Sequence, residues 1–216
     1  MSKTIIISDD HPLFRQALRT AITPLFSDAS IVEVETLAET QTELNDKSVD
    51  LLLLDLRMSD SKGLVGLMII KGSYPEVPVI IVSASEGAET IRSAIQAGAS
   101  GYISKSASPE QIRESIQLVA QGEVAIPDVA RSDVSDSERQ ELEAIENISL
   151  LTPTQLKVLM KMTEGMLNKQ IAYYMDISEA TVKSHVTAIF KKLRVRTRTQ
   201  AVVLAKQLEV VLSDED

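Results

Sequence analysis

Residues 51–58 read LLLLDLRM, and this stretch decides the fold. Four consecutive leucines lack the alternation of a strand with one wet face. They describe a short strand buried on both sides. Such a strand belongs in a parallel sheet with helices above and below it. The run stops on a carboxylate, Asp55. In open parallel sheets, ligands and chemistry collect at the carboxyl ends of the strands.

Working outward, a second continuous apolar run lies at 77–83, VPVIIVS. Shorter runs flank the two. Strands are predicted at 4–8, 31–34, 49–54, 79–82 and 101–103. Helices are predicted at 12–23, 37–46, 63–72, 86–97 and 109–121. Ser108 before Pro109 has the form of a helix start, and Gly98 and Gly122 sit where helices would stop. Five β–α units imply a doubly wound α/β domain on a five-stranded parallel sheet. The scarcity of aromatic residues, 3% of the chain, makes its core aliphatic.

The polar residues at the predicted strand ends form a set: Asp9 and Asp10 after the first, Asp55 after the third, Ser83 after the fourth, Lys105 just past the fifth. Each alone is ordinary. An acidic pair before Pro12 commonly opens a helix, and a lone lysine is usually a solvated charge. Together on one rim they make a coherent chemistry. Crowded carboxylates repel one another, and a hard divalent cation relieves that. Mg2+ prefers oxygen ligands and retains waters, so Asp10 and Asp55 would bind it directly and Asp9 through water. An aspartate carboxylate is also a competent nucleophile toward phosphorus, giving an acyl phosphate. The cation and Lys105 would offset the charge of the transferring group, and the Ser83 hydroxyl would donate a hydrogen bond to it.

The pieces SDDHPLFRQAL (8–18), LLLLDLRM (51–58), VPVIIVSAS (77–85) and AGASGYISKSASPEQI (97–112) resemble the receiver domain of bacterial two-component response regulators. The resemblance implies a flavodoxin-like fold over 1–124 and phosphorylation of Asp55 by a partner sensor histidine kinase. It further implies that Arg57 lends its backbone carbonyl to Mg2+ and that Tyr102 is the aromatic switch residue responding to Ser83. One departure is visible: Ser59 stands where the family usually has proline, which leaves that loop less restricted. The competing reading is a phosphatase with an aspartate nucleophile. Those enzymes place a second aspartate two residues on as the acid/base, and this chain has Arg57 there. A receiver that works without phosphate is opposed by the complete five-residue set.

Net charge divides the chain again. Residues 1–125 hold 10 basic against 17 acidic side chains, residues 126–148 hold 2 against 7, and residues 149–207 hold 10 against 3. A basic module inside a chain of net charge −9 is the footprint of a local anionic partner. The acidic, Ser-containing stretch 125–147 reads as a linker, with a short helix if Leu142, Ile145 and Ile148 line up. Beyond it, 148–212 carries four helical signals and no strand, followed by an acidic tail at 213–216. Thr152-Pro153 opens the first helix and Gly165 closes it; Asn168 and Ser178 are expected caps of the next two; the last runs from about 197 to 208. In the third, Val182, Val186, Ile189, Phe190 and Leu193 share one face, while Ala180, Ser184, Thr187 and Lys191 share the other. Slim polar residues flanked by cations are what a major-groove helix needs. Lys191, Lys192, Arg194, Arg196 and Arg198 crowd its end.

The run from LTPTQLKVL to FKKLRVRTRTQAV resembles the LuxR-type helix-turn-helix, so the chain as a whole is similar to the NarL/FixJ subfamily of response regulators. The resemblance implies base contacts from Lys183, Ser184 and Thr187, and phosphate contacts from Lys169, Thr181, His185 and Lys191. It implies binding of double-stranded DNA at an inverted repeat as a phosphorylation-dependent homodimer, with Ala201, Leu204, Ala205 and Leu208 as the dimer seam. Tyr173-Tyr174 stand where many members have a basic pair, and Asp176 where the turn usually has glycine. Both reduce positive charge near DNA. The charge balance adds the expectation that the acidic receiver shields the basic module before phosphorylation.

The absence of cysteine excludes disulfides and thiol chemistry, and no apolar run has the length of a membrane span. A cytoplasmic location with no membrane partner is expected.

Overall fold

The computed structural model describes residues 2–210; the tail expected at 213–216 and the last two residues of the 148–212 module lie outside the described residues. The first half alternates β1 (Thr4–Ser8), α1 (Pro12–Ile22), β2 (Ser30–Val34), α2 (Leu37–Asp46), β3 (Leu51–Asp55), a hairpin of β4 (Arg57–Met58) and β5 (Ser61–Lys62), α3 (Val65–Ser73), β6 (Val79–Ser83), α4 (Ala88–Gln96), β7 (Gly101–Ser104) and α5 (Pro109–Ala120). The five longer strands form one parallel sheet in the order β2-β1-β3-β6-β7. All five residues of β3 and of β6 are buried, which is why those runs are continuous rather than alternating.

Side chains along a strand point alternately to the two faces, and the core divides accordingly. Ile5, Ile7, Leu51, Leu53, Ile80 and Val82 pack with Leu18 and Ile22 of α1 and Ile112 and Ile116 of α5. Ile6, Leu52, Leu54 and Ile81 pack on the opposite side with residues of α2, α3 and α4. Each fully buried aliphatic chain contributes about 1.5–3 kcal/mol. Strand order reverses at β1 and β3, where the chain runs outward in both directions. The loops after those two strands diverge and open a crevice above the sheet edge.

The second half contains a 3-10 turn (Asp128–Arg131), α6 (Asp136–Ser149), α7 (Pro153–Thr163), α8 (Asn168–Met175), α9 (Glu179–Lys192) and α10 (Arg198–Val210). Two sequence-legible boxes set helix starts. Ser108 and Gln111 cap α5, and Thr152 and Gln155 cap α7, each behind a proline. Asn168 is not a cap. It is the first helical residue of α8, and the Leu167 N–H is met instead by Gln170 Oε1 at 2.7 Å.

The stretch read as a linker packs on the first half. Ala125 adds a single bridge to the edge of β7, its N–H donating to Ser100 O at 3.1 Å and its carbonyl accepting from Tyr102 N at 3.0 Å. Helix α6 lies on α4. Arg92 Nε donates to Glu138 Oε1 at 2.5 Å and Arg92 Nη1 to Ala130 O at 3.2 Å. Helix α7 meets α3 at Gly72, where a Cβ atom would come within 3.2 Å of Pro153 Cγ. The apolar core on the α3–α4 side therefore continues into Leu156, Leu159, Val182 and Ile189 of the helical half.

Candidate phosphoryl site and nucleic-acid interface

The expected strand-end residues converge. Asp9 follows β1, Asp55 ends β3, Ser83 ends β6 and Lys105 follows β7. Lys105 Nζ stands 2.8 Å from Asp55 Oδ2 and 2.8 Å from Asp9 Oδ2. Its backbone N–H donates to Ser83 O at 2.7 Å, tying the lysine to the end of β6. Asp9, Asp55 and Ser83 are buried. Asp10 is partly exposed, and Arg57 reaches outward while its backbone N–H donates to Asp55 Oδ1 at 3.0 Å. Burial raises the Asp55 pKa above its usual range, partly offset by the hydrogen bond from Lys105. Burial pulls the Lys105 pKa down, but its hydrogen bond to Asp55 and its ion pair with Asp9 outweigh that and leave it raised. Tyr102 is buried, with its hydroxyl donating to Ser85 O at 2.8 Å. A hollow of about 440 Å³ lies over the site, lined by His11, Leu13, Phe14, Asp55, Arg57, Ala84 and Lys105.

The residues fit a hard divalent cation. Asp9, Asp10, His11 and Asp55 bring ligand atoms within 4.8 Å of one another. Asp9 Oδ2 and Asp10 Oδ1 are screened from solvent yet accept no well-directed hydrogen bond. Their close cationic neighbours, Lys105 and His11, provide charge contacts rather than satisfied geometry. Buried, under-bonded carboxylate oxygens are what a metal ion satisfies.

Two supporting residues were not anticipated. Arg15 is buried in α1, with Nη1 donating to Asp9 O at 2.6 Å and Nη2 to Glu35 Oε1 at 2.6 Å. It fixes the backbone that carries the acidic pair. The available signal is Arg15 sharing the face of Leu18 and Ile22, at helical spacing, since a cation on an apolar stripe demands partners. Asp60 accepts from Leu37 N at 2.8 Å and Ala38 N at 3.0 Å, capping α2 from the loop after β3. With the β4–β5 hairpin, this clip gives the loop the definition that Ser59, lacking the proline ring, does not.

In the helical half, α8, a turn and α9 form a helix-turn-helix. Val182, Ile189 and Leu193 are buried, while Thr181, Lys183, Ser184, Thr187 and Lys191 are exposed along α9 and Lys169 along α8. His185 is half-buried on the flank. The expected shielding is not what the structure has: the receiver meets α6 and α7, and the outer face of α9 is open. The basic cluster also divides. Lys192 Nζ donates to Leu150 O and Gln155 Oε1, both at 2.8 Å. Arg198 Nη2 donates to Met166 O at 2.5 Å. These two hold the helices together, leaving Lys191, Arg194 and Arg196 outermost. The dimer seam expected on α10 is likewise corrected in part. Ala201, Ala205 and Leu208 are fully buried in the monomer core, Leu204 is half-buried, and Val203 is the outward apolar residue at 58% exposure.

Comparison with known proteins agrees with both halves. Residues 5–117 match the response regulator receiver domain, and residues 149–205 match the luxR family of bacterial regulatory proteins. The chain is 42% identical over 212 residues to a glycerol metabolism activator of Pseudomonas putida, covering 95% of this chain and 96% of the relative. It is 33% identical to the nitrate/nitrite response regulator NarP of Escherichia coli, covering 94% of each. Among solved structures, an RcsB–DNA complex shares the fold at a TM-score of 0.56 and 20% identity, covering 96% of this chain and all of that one. A LuxR family DNA-binding response regulator from Silicibacter pomeroyi matches at a TM-score of 0.52 and 31% identity, over 59% of this chain and 98% of that one. The chain belongs to the NarL/FixJ subfamily of response regulators, a receiver domain joined to a LuxR-type helix-turn-helix domain.

Proposed function

We propose that Asp55 accepts a phosphoryl group from a partner sensor histidine kinase in the cytoplasm, and that the acyl phosphate promotes dimerisation and sequence-specific DNA binding to regulate transcription. The observation that carries this reading is Lys105 Nζ at 2.8 Å from both Asp55 and Asp9, on a strand edge with a hollow above the nucleophile. An Asp55 carboxylate oxygen forms the new bond to phosphorus as the bond to the donor nitrogen breaks. Lys105 turns its ammonium from the carboxylates to a phosphoryl oxygen, and the Ser83 hydroxyl donates to another. Asp10, Asp55 and the Arg57 carbonyl, with Asp9 through water, would hold Mg2+, which would supply charge neutralisation of the transferring group. Arg57 occupies the position where an aspartate-nucleophile phosphatase carries its acid/base, so the phosphate persists as a signal. Tyr102 lies in the strand between Ser83 and the Ala125 bridge, in position to pass the change to the segment leaving the receiver.

On DNA, Lys183, Ser184 and Thr187 contact bases, and Lys169, Thr181, His185 and Lys191 contact phosphates. A dimer joined through the outward side of α10, at Val203 and Leu204, presents two recognition helices to the halves of an inverted repeat. The test is incubation with a small phosphodonor and Mg2+, read by intact mass, followed by selection of bound DNA sequences. A single adduct on the wild type, none on Asp55→Asn, and donor-dependent enrichment of an inverted repeat are expected. An equal adduct on Asp55→Asn would overturn the assignment.

A further inference from the structure

The outward side of α10 offers more than the apolar contact at Val203 and Leu204. A hollow of about 520 Å³ opens beside them, lined also by Arg194, Arg196, Thr199 and Gln200. Both arginines are exposed. The Arg194 guanidinium, 76% exposed, meets Glu143 at a long 3.4 Å, a contact worth little in water. Gln200 Oε1 accepts from Arg196 N at 2.9 Å and Thr197 N at 3.2 Å, which caps the start of α10 and holds the arginine backbone in place. The hollow thus has an apolar end toward the middle of the helix and a cationic end just before its start. At the other end of the same helix the sequence continues after Val210 as VLSDED: an apolar pair, a hydroxyl, then three carboxylates and no cation. The order of chemistry along 211–216 matches the order along the hollow.

Resting on the reading of this side of α10 as the dimer contact, we infer that the hollow takes residues 211–216 of a second copy of this chain, with Asp214, Glu215 and Asp216 on Arg194 and Arg196. Reach decides against the same chain. Arg198 and Val210 stand about 18 Å apart at 1.5 Å per helical residue, while a tail doubling back at about 3.3 Å per residue brings Asp214 only about 13 Å along that path. Charge decides how two copies meet. Val203 and Leu204 lie midway along Arg198–Val210, so a two-fold contact there sets the helices either parallel or antiparallel. Parallel, the arginines of the two copies face each other and so do the carboxylates. Antiparallel, each cationic start lies beside the other copy's acidic end, and the contact is made twice.

The test is sedimentation of the full chain with Mg2+ and a small phosphodonor, without DNA. One variant carries Arg194→Asp and Arg196→Glu, since aspartate tolerates the left-handed backbone of residue 194, whose φ is 56°. The other carries Asp214→Lys, Glu215→Lys and Asp216→Lys. Each alone sets like charges against one another and is expected to weaken the dimer roughly tenfold or more. Mixed in equal amounts, the two are expected to form a heterodimer within about threefold of the wild-type affinity, because each hollow then meets a tail of opposite charge. Recovery in the mixture also shows that both variants fold. A wild-type dimer whose affinity neither variant changes overturns the inference and leaves the dimer reading standing, and so does a loss that the mixture of two folded variants fails to restore. Where the arginine variant does not fold, the neutral tail Asp214→Asn, Glu215→Gln, Asp216→Asn decides: a weaker dimer with a flatter salt dependence is expected, and wild-type behaviour overturns the inference. A wild type that stays monomeric with phosphodonor overturns the inference and the dimer reading together.

Discussion

At Asp55 the fold holds a charge it would rather not carry. Its pKa is raised by burial, with Lys105 as a partial offset. The neutral carboxyl is favoured in the folded state, so its stabilising contribution is complete below the unfolded pKa and is lost as pH rises through the raised folded value. Asparagine at 55 has no such loss. In metal-free buffer, Asp55→Asn is therefore expected to melt higher than the wild type at neutral pH, with the gap closing as pH falls. Added Mg2+ is expected to narrow the gap at neutral pH. Melts across pH with and without chelator check this, and equal melting temperatures at neutral pH without metal would contradict it. The five site residues were legible because a parallel sheet sends every strand's carboxyl end to one edge, so position in a run is position in the site. Arg15 and Asp60 were not, because each acts on backbone from a distant part of the chain: Asp9 O for one, the start of α2 for the other. Spacing along the sequence carries no trace of such partners.

Individual helices show how the same residue type serves two purposes. On α9 the apolar and polar faces follow directly from period, and both are where the sequence puts them. The cations after it do not sort by period. Arg198 donates to the Met162 and Met166 carbonyls at the end of α7, and burial lowers its pKa. Lys191 stays exposed. Arg198→Ala is expected to destabilise the helical half by about 1–3 kcal/mol with an unchanged salt slope for DNA binding. Lys191→Ala is expected to leave stability alone and reduce that slope by about 0.9. Denaturant titration and salt-dependent binding separate the two. Helix α8 carries a different kind of departure. Tyr173 is 92% exposed and lies one turn beyond Lys169 on the same face. Tyr173→Arg is expected to steepen the salt slope by about 0.9, and an unchanged slope would place this face away from DNA. Asp176, which closes α8, holds φ at 53° in the left-handed region that glycine usually takes. On α10 the periodic apolar stripe was legible, but its destination was not. A stripe of that kind reads the same whether it meets the domain's own core or a second subunit, and here Ala201, Ala205 and Leu208 meet the core.

Across the whole molecule, regulation has to work with a recognition face that is already open. The receiver grips the other side of the helical half, through Gly72 against Pro153 and through Arg92 on Glu138. Net charge hinted at contact between the halves but not at its location, because −7 and +7 balances say nothing about which surfaces fit. If the grip restrains dimerisation, loosening it replaces phosphorylation. Gly72→Leu, which drives a side chain into Pro153, and Glu138→Ala, which removes a half-buried ion pair at a cost of about 1–2 kcal/mol, are each expected to raise dimer formation and DNA affinity without phosphodonor. Sedimentation and binding assays on unphosphorylated protein check this, and variants that stay monomeric with wild-type affinity would show that the grip is not what phosphorylation releases. The bridge at Ala125 adds a limit of its own. It pins the chain to β7, so only the stretch from there to α7 pays out when the grip opens. With α6 still helical, that stretch reaches on the order of 60 Å at 1.5 Å per helical and about 3.3 Å per extended residue. A partner on so short a leash keeps a millimolar-range effective concentration, so opened molecules re-close readily. The open form lasts only while something else, a second protomer or DNA, occupies the freed surfaces, which makes the switch a competition between tethered and untethered partners.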